Sequence, residues 1–386
     1  MSLLAACAGS VPQRPTLSFP VPPEVTYDLA TAQTLPDAAL AARLADVRLL
    51  FLGEHHNEAR SHAFQLALIR ALAEAGRRVT VGLEMLPPSA DKALDAWRDG
   101  KLEETAFLEQ SGWYRHWGFP WDVYRPLFLA FRDARLTVRG LNAAPETREA
   151  VHLDKLAQLP PDVAAELAGL DAPAPHTDYL RWALNRAGHN VGQARDDPRL
   201  APYRRVQTMW DRLIGLRAAR LAEAQEPGGI VVVLVGSGHL AYKLGANLQA
   251  ARASRVAQLS VVDDVVDAAA RDAQGHYAVP LGLGDWVRVY PHDEHAPRHP
   301  TLGALKLAPH PRGVLVESLS RFNPHVPAGL RSGDVIVSLA GRPVGAEVPL
   351  RLAWERLAPG QPVPMAILRG DAELTLTVTP AADASD

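Results

Sequence analysis

The chain has 386 residues, 47% hydrophobic and 22% charged, with a formal net charge of −3. Those values exclude wholesale disorder, and the lack of a basic excess excludes nucleic acid as a main partner. The length predicts two or three domains, no run of 18 apolar residues predicts a membrane span, and a single cysteine, Cys7, rules out an internal disulfide or a cysteine-based zinc site.

In chain order, Leu4-Ala5-Ala6-Cys7 resembles a bacterial lipobox, which makes Cys7 the expected lipidation site. Five prolines between Ser10 and Pro23 then predict an extended spacer, so residues 1–35 read as a lipobox-like start and a Pro-rich tether. Residues 36–290 read as one α/β domain. Strands are predicted at 47–56, 79–85, 136–142, 229–235 and 256–262, where apolar residues run almost without interruption. Helices are predicted at 57–75, 123–134 and 202–225, the last with Val206, Met209, Leu213 and Ile214 on one stripe. This alternation predicts a mostly parallel sheet with helices on both faces. Residues 157–202, rich in proline and alanine, suggest a helical insertion or cap over one end. Residues 291–300, with His292, His295 and His299, read as a linker.

Residues 301–380 resemble a PDZ domain of the bacterial protease-associated kind, a small β-rich module. The resemblance rests on Thr301-Leu302-Gly303-Ala304, on Gly313-Val314-Leu315-Val316, and above all on Ala328-Gly329-Leu330-Arg331-Ser332-Gly333-Asp334-Val335-Ile336. It implies that Leu302, Gly303 and Ala304 offer backbone N–H groups to the carboxylate of a peptide or protein C-terminus, which lies as an added strand.

Between residues 112 and 126 stand six of the 24 aromatic residues of the chain. This segment combines flat apolar rings, His and Tyr donors and Arg cations, so His116, Tyr114, Trp117, Tyr124 and Arg125 are candidate ligand-binding residues. Spacing alone also fits a hydrophobic plug for Trp121 and Tyr124, on one face of a buried helix.

Ligands of such sheets bind outside the carboxyl ends of the strands. There the sequence places Gly53-Glu54-His55-His56, Gly82-Leu83-Glu84, Gly140-Leu141-Asn142 and Gly236-Ser237-Gly238-His239. Two G-x-x-H tails with glutamates suit proton transfer or metal ligation. Gly236-x-Gly238-x-x-Ala241 with Asp263 also satisfies a dinucleotide fingerprint on paper, but that fingerprint usually opens a sheet and here only one clear strand follows.

Across residues 40–265 these tails, with Tyr124-Arg125-Pro126-Leu127, resemble the ChaN-like haem-uptake family of the Tiki and erythromycin-esterase superfamily. The resemblance implies an α/β cell-envelope lipoprotein facing the periplasm, expected at the outer membrane in preference to the inner, that binds haem between two protomers, with flat apolar walls, an axial His or Tyr and propionate-pairing cations drawn from His116, Tyr114, Trp117, Tyr124 and Arg125. It equally allows a metal-dependent hydrolase with Glu54, His56, Glu84 and His239 as catalytic residues and with His56, His239 and Glu54 on a divalent metal ion.

Overall fold

The structure, a computed structural model, describes residues 17–293, 299–303, 305–321, 323–326 and 328–381. The chain enters through short strands β1 (Ser18–Val21), β2 (Thr26–Asp28) and β3 (Gln33–Leu35). Then come α1 (Asp37–Arg43), β4 (Leu49–Glu54), α2 (Ala59–Glu74) and β5 (Arg78–Leu83). Helices α3 (Asp91–Arg98), α4 (Glu104–Ser111), α5 (Trp113–His116) and α6 (Trp121–Asp133) lead into β6 (Thr137–Gly140). They are followed by α7 (Pro145–His152), α8 (Pro161–Glu166), α9 (Ala174–Arg186), α10 (Ala201–Glu223), β7 (Gly229–Gly236) and α11 (Ala246–Ala253). Strands β8 (Gln258–Val266), β9 (Tyr277–Pro280) and β10 (Trp286–Pro291) complete the first module. The second holds β11 (Leu305–His310), β12 (Gly313–Leu319), β13 (Val335–Leu339), β14 (Arg342–Pro343), α12 (Glu347–Glu355), β15 (Val363–Arg369) and β16 (Ala372–Val378).

Among the described residues, the main sheet has the order β3-β2-β10-β8-β4-β7-β5-β6. From β10 to β6 every pairing is parallel; β2 and β3 add antiparallel strands at one edge. Strand side chains alternate between faces, so each buried strand feeds two cores. Leu50, Leu52, Val81, Val232 and Leu234 pack under α2, α3, α4 and α6. Leu49, Phe51, Val231, Val233 and Val235 pack under α10 and α11. No helix of the described residues is long and apolar enough to cross a membrane.

The expected tether is corrected from Ser18 onward. β1 pairs with β9, β2 joins the main sheet, and Val21 and Tyr27 are buried. The prolines here sit in edge strands and turns, where a missing N–H is tolerated. Cys7 lies outside the described residues, as does His295 of the linker.

The two modules share a helix. Leu350 and Trp354 of α12 pack in the second module's core, while Val348 and Leu352 join the large core of the first.

The end of β6 shows how closely backbone segments approach around the sheet. A Cβ on Gly140 would lie 2.3 Å from the Pro87 carbonyl oxygen, and the Gly140 N–H donates to Asp91 at 2.8 Å. Gly140→Ala should therefore destabilise the protein by about 1–3 kcal/mol in urea unfolding, through forced backbone displacement. An unchanged unfolding midpoint would contradict this packing.

Candidate functional site

Parallel register delivers the polar tails to one pole. Glu54 stands opposite Gly236 and Leu83 opposite Leu234, so the chain segments after β4, β5 and β7 emerge side by side. Glu54, Glu84 and His239 are buried there, while the His56 side chain keeps 24% of its surface exposed.

Two hydrogen-bonded arrays result. In the first, Glu54 Oε1 accepts from the Tyr124 hydroxyl at 2.6 Å and pairs with His56 Nδ1 at 2.9 Å. Glu54 Oε2 accepts from Gln65 at 2.9 Å, with His62 Nε2 3.5 Å away. In the second, His239 bridges two carboxylates: Nε2 is 3.1 Å from Glu84 Oε1 and Nδ1 is 2.7 Å from Asp211 Oδ1. His176 Nε2 lies 2.9 Å from the other Asp211 oxygen, and the Gly236 N–H donates to Glu84 at 2.6 Å. The arrays meet at Gly236, where a Cβ would approach His56 Nε2 to 3.0 Å and Glu84 Oε2 to 3.5 Å.

The charges are settled by mutual neutralisation. Burial pushes the Glu54 carboxyl up, but the charge of His62 and the hydrogen bond from His56 outweigh it and hold Glu54 well below the usual carboxylate range. Burial likewise opposes ionisation of Glu84, and the His239 charge and hydrogen bond win. For Asp211, burial is outweighed by hydrogen bonds from His176 and His239. Burial pushes both histidines down; bonding to Glu54 and the Glu84 charge raise His56, and the Glu84 charge with the Asp211 hydrogen bond carries His239 up to about 10. Buried charges survive only when paired this way.

This arrangement bears on the metal reading. A histidine that gives both ring N–H groups to carboxylates has no lone pair left for a metal. His239 is in that position, and His56 spends Nδ1 on Glu54. Among the described residues no group of three or more His, Cys, Asp or Glu side chains is arranged to hold a metal ion. The structure brings Glu54, His56, Glu84 and His239 together in ion pairs.

The aromatic segment is corrected more sharply. Trp113, Trp121 and Tyr124 are fully buried, and Trp117 is nearly so, set edge-on against the His56 ring at 4.8 Å. Tyr124 spends its hydroxyl on Glu54, Tyr114 lies beneath Arg351 of α12, and Arg125 is paired with Glu104 at 2.6 Å. His116 is half-buried, and burial lowers its pKa. Trp117 and Tyr124 fill the core, Tyr114 packs beneath Arg351 and Arg125 is ion-paired, so these four offer no common face to a flat ligand.

A different aromatic cluster lies at the same pole, with Trp182 exposed and Tyr179 and Tyr242 partly buried against the core. Tyr179 of α9 stacks with Trp182 at 6.0 Å and meets Tyr242 edge-on at 5.6 Å. Trp182 is 54% exposed, and the Arg186 guanidinium lies 5.6 Å from its ring centre. Tyr242 and Lys243 both adopt left-handed backbone (φ 58°), unusual for residues with a Cβ. The sequence reading missed these residues; the spacing of 179, 182 and 186 along one helix face was the available signal.

In the second module, Leu302 is buried and Gly303 takes φ 70°, while Ala304 lies outside the described residues. β11 ends the sheet order β11-β12-β13-β15-β16, so it is an edge strand with α12 beside it.

Residues 22–249 match the family model described as haem-binding uptake, Tiki superfamily, ChaN. The chain belongs to this family. Residues 289–379 match the PDZ domain, so this ChaN-family chain joins a haem-binding-family module to a peptide-binding type of module. No curated protein matches it. Among solved structures, ChaN of Campylobacter jejuni, described with cofacial haem binding, shares the fold of the ChaN-family chain. It is 18% identical, with a TM-score of 0.53 over 68% of this chain and 95% of that one. The HtrA-type protease AlgW with a decapeptide matches over 30% of this chain and 40% of that one, at 20% identity and a TM-score of 0.22. A serine endoprotease from Yersinia pestis matches over 22% and 29%, at 20% identity and a TM-score of 0.20. These two scores add nothing to the fold assignment.

The raised His239 pKa fixes the sign of a pH effect in this ChaN-family chain. Its stabilisation is complete below pH ~6.5, the unfolded value, and is lost as pH climbs towards about 10. Melting temperature should fall across that window in the wild type. In His239→Gln it should start lower, by about 3–5 kcal/mol of stability, and vary less with pH. Parallel pH profiles for the two proteins would refute the buried ion pair.

Proposed function

We propose that the protein binds haem at the strand-end pole, against Tyr179, Trp182 and Tyr242. The carrying observation is the aromatic trio with Trp182 exposed, the partly buried Tyr179 and Tyr242 behind it and an arginine beside it, at the end of the sheet where ligands of such folds bind. Flat rings provide apolar walls, Arg186 provides a cation for propionates, and the half-buried Tyr242 provides a phenolic oxygen. Bound ferric haem supplies a hard Lewis acid for which such an oxygen is a suitable donor. The protein's own part is to hold the plane, orient it and balance its charge. The buried Glu54 and His239 arrays keep the strand tails, and so Tyr242 three residues beyond His239, in place.

Exposure of Trp182 leaves the outer face of the ligand uncovered, and a second copy of this chain is our proposed cover, in keeping with the cofacial haem of the Campylobacter protein. The role we assign is haem uptake or trafficking at the bacterial cell envelope, with Cys7 as lipid anchor and the PDZ module recruiting a protein partner. The lipobox-like Leu4-Ala5-Ala6-Cys7 supports the anchor.

Haemin titration followed by visible absorbance should give a saturable Soret shift. Trp182→Ala should weaken binding about tenfold, the loss of one aromatic contact, and Tyr242→Phe should move the absorption bands. His116→Ala and Arg125→Ala should bind as the wild type does. Unsaturable absorbance would overturn haem binding; saturable binding indifferent to Trp182 and Tyr242 would overturn this location. Membrane fractionation of Cys7→Ser should show the protein released to the soluble fraction.

A further inference from the structure

A groove of about 450 Å³ opens at the end of the sheet opposite the strand tails, where β5 and β6 begin and α2, α6 and α10 finish. That volume lies in the range of small-molecule sites. The buried Thr80 and the half-buried Thr137 line it, paired in register on the neighbouring strands β5 and β6. The exposed Arg78 and Arg135 line it too, together with Arg77, and Glu226 is the one carboxylate of the lining.

Positive charge gathers here without carboxylates to meet it. Arg77 donates to the carbonyls of Leu44, Val47 and Gly228, Arg48 to those of Ala222 and Gln225, and Arg78 to that of Pro227 at 2.7 Å. Carbonyl oxygens use these N–H groups but carry no formal charge, and none of the three arginines makes an ion pair among the described residues. Burial and the charge of Arg48 push Arg77 down from its usual value, against a smaller opposing pull from Asp46. Arg77 and Arg48 are thus held by the fold and set the local potential, while Arg78 spends one nitrogen and keeps the rest.

Arg135 is the more telling residue. It follows the C-cap of α6 and takes φ 52°, a left-handed backbone. The corresponding residue after α2 is Gly76, at φ 81°, the type that adopts this conformation without strain. A side chain there is strained, and the exposed Arg135 guanidinium gains no hydrogen bond or ion pair from the described residues in return.

We propose that this groove binds a phosphate ester. Arg78 and Arg135 take the phosphoryl oxygens, and the hydroxyls of Thr80 and Thr137 complete the cradle. The Thr80 hydroxyl is available for this, since its contact with Gln225 Oε1 is a long 3.3 Å. Two guanidinium groups and two hydroxyls suit a group with more than two acceptor oxygens. Glu226 suits a remainder that carries hydroxyl or amino groups, which favours an ester over the bare ion. The ester belongs either to a soluble molecule or to a phospholipid headgroup. The inference does not depend on haem.

The test uses the full chain with two probes, sn-glycerol 3-phosphate and phosphatidylglycerol vesicles, with phosphatidylcholine vesicles as control. The soluble ester should bind saturably by calorimetry, and Arg78→Gln and Arg135→Gln should each weaken it about tenfold, the loss of one charge-assisted contact. Arg135→Gly removes the guanidinium and relaxes the backbone, so it should weaken binding as much without lowering the melting temperature. Saturable binding of the ester without vesicle co-sedimentation supports the site and assigns it to soluble esters. Co-sedimentation with phosphatidylglycerol vesicles alone, lost in both glutamine variants, supports it and assigns it to headgroups. Binding of neither probe, or binding that both glutamine variants leave unchanged, overturns the site. A lowered melting temperature in Arg135→Gly overturns the ligand role of Arg135 and makes it a structural residue.

Discussion

Carboxylates buried at the ends of parallel strands set the terms for the rest of the large module. Glu54 and Glu84 terminate mostly apolar segments, in a setting where an unpaired charge would cost several kcal/mol. Each must therefore be met by donors from elsewhere in the chain. Tyr124 comes from α6, Gln65 and His62 from α2, and His56 from the tail of β4 itself. Glu84 recruits His239, which recruits Asp211 of α10, which in turn holds His176 of α9. Helices from both faces of the sheet are thus drawn to one pole by the same need.

That need explains why the aromatic segment folds inward. Tyr124 cannot serve both Glu54 and a bound porphyrin, and Trp117 shields the His56 ring rather than facing solvent. The exposed ring at this pole is Trp182 of α9, with Tyr242 of the turn after His239 partly buried nearby. The ion pairs and the proposed ligand face are neighbours with separate tasks, one fixing the tails and the other using the surface they support.

Much of the architecture was legible in the sequence because buried parallel strands are long apolar runs, and their Gly-rich, charged tails stand out at the ends. The four tail residues Glu54, His56, Glu84 and His239 were found by that contrast. Asp211 was not, because an aspartate within an amphipathic helix looks like any solvated charge until the helix is placed. β1, β2, β3 and β9 escaped notice because strands of three or four residues are too short to carry a periodic signal. The aromatic segment misled for another reason: composition reports residue type but not direction, and Tyr114, Trp117 and Tyr124 point to three different neighbours. The PDZ module was readable from its turns, yet nothing local announced that Val348 and Leu352 belong to the other module's core.

The double allegiance of α12 has a consequence for how this protein is partitioned. Linkers are where chains are ordinarily divided, and residues 291–300 look like an invitation to do so. Cutting there would bare Val348 and Leu352 on one fragment and, without the Glu355 carboxylate that accepts from the Trp121 N–H, leave the start of α6 uncapped on the other. Each half would present a sticky apolar scar in place of a finished surface. The boundary written in the sequence separates two sheets, whereas the packed core crosses it through Val348 and Leu352.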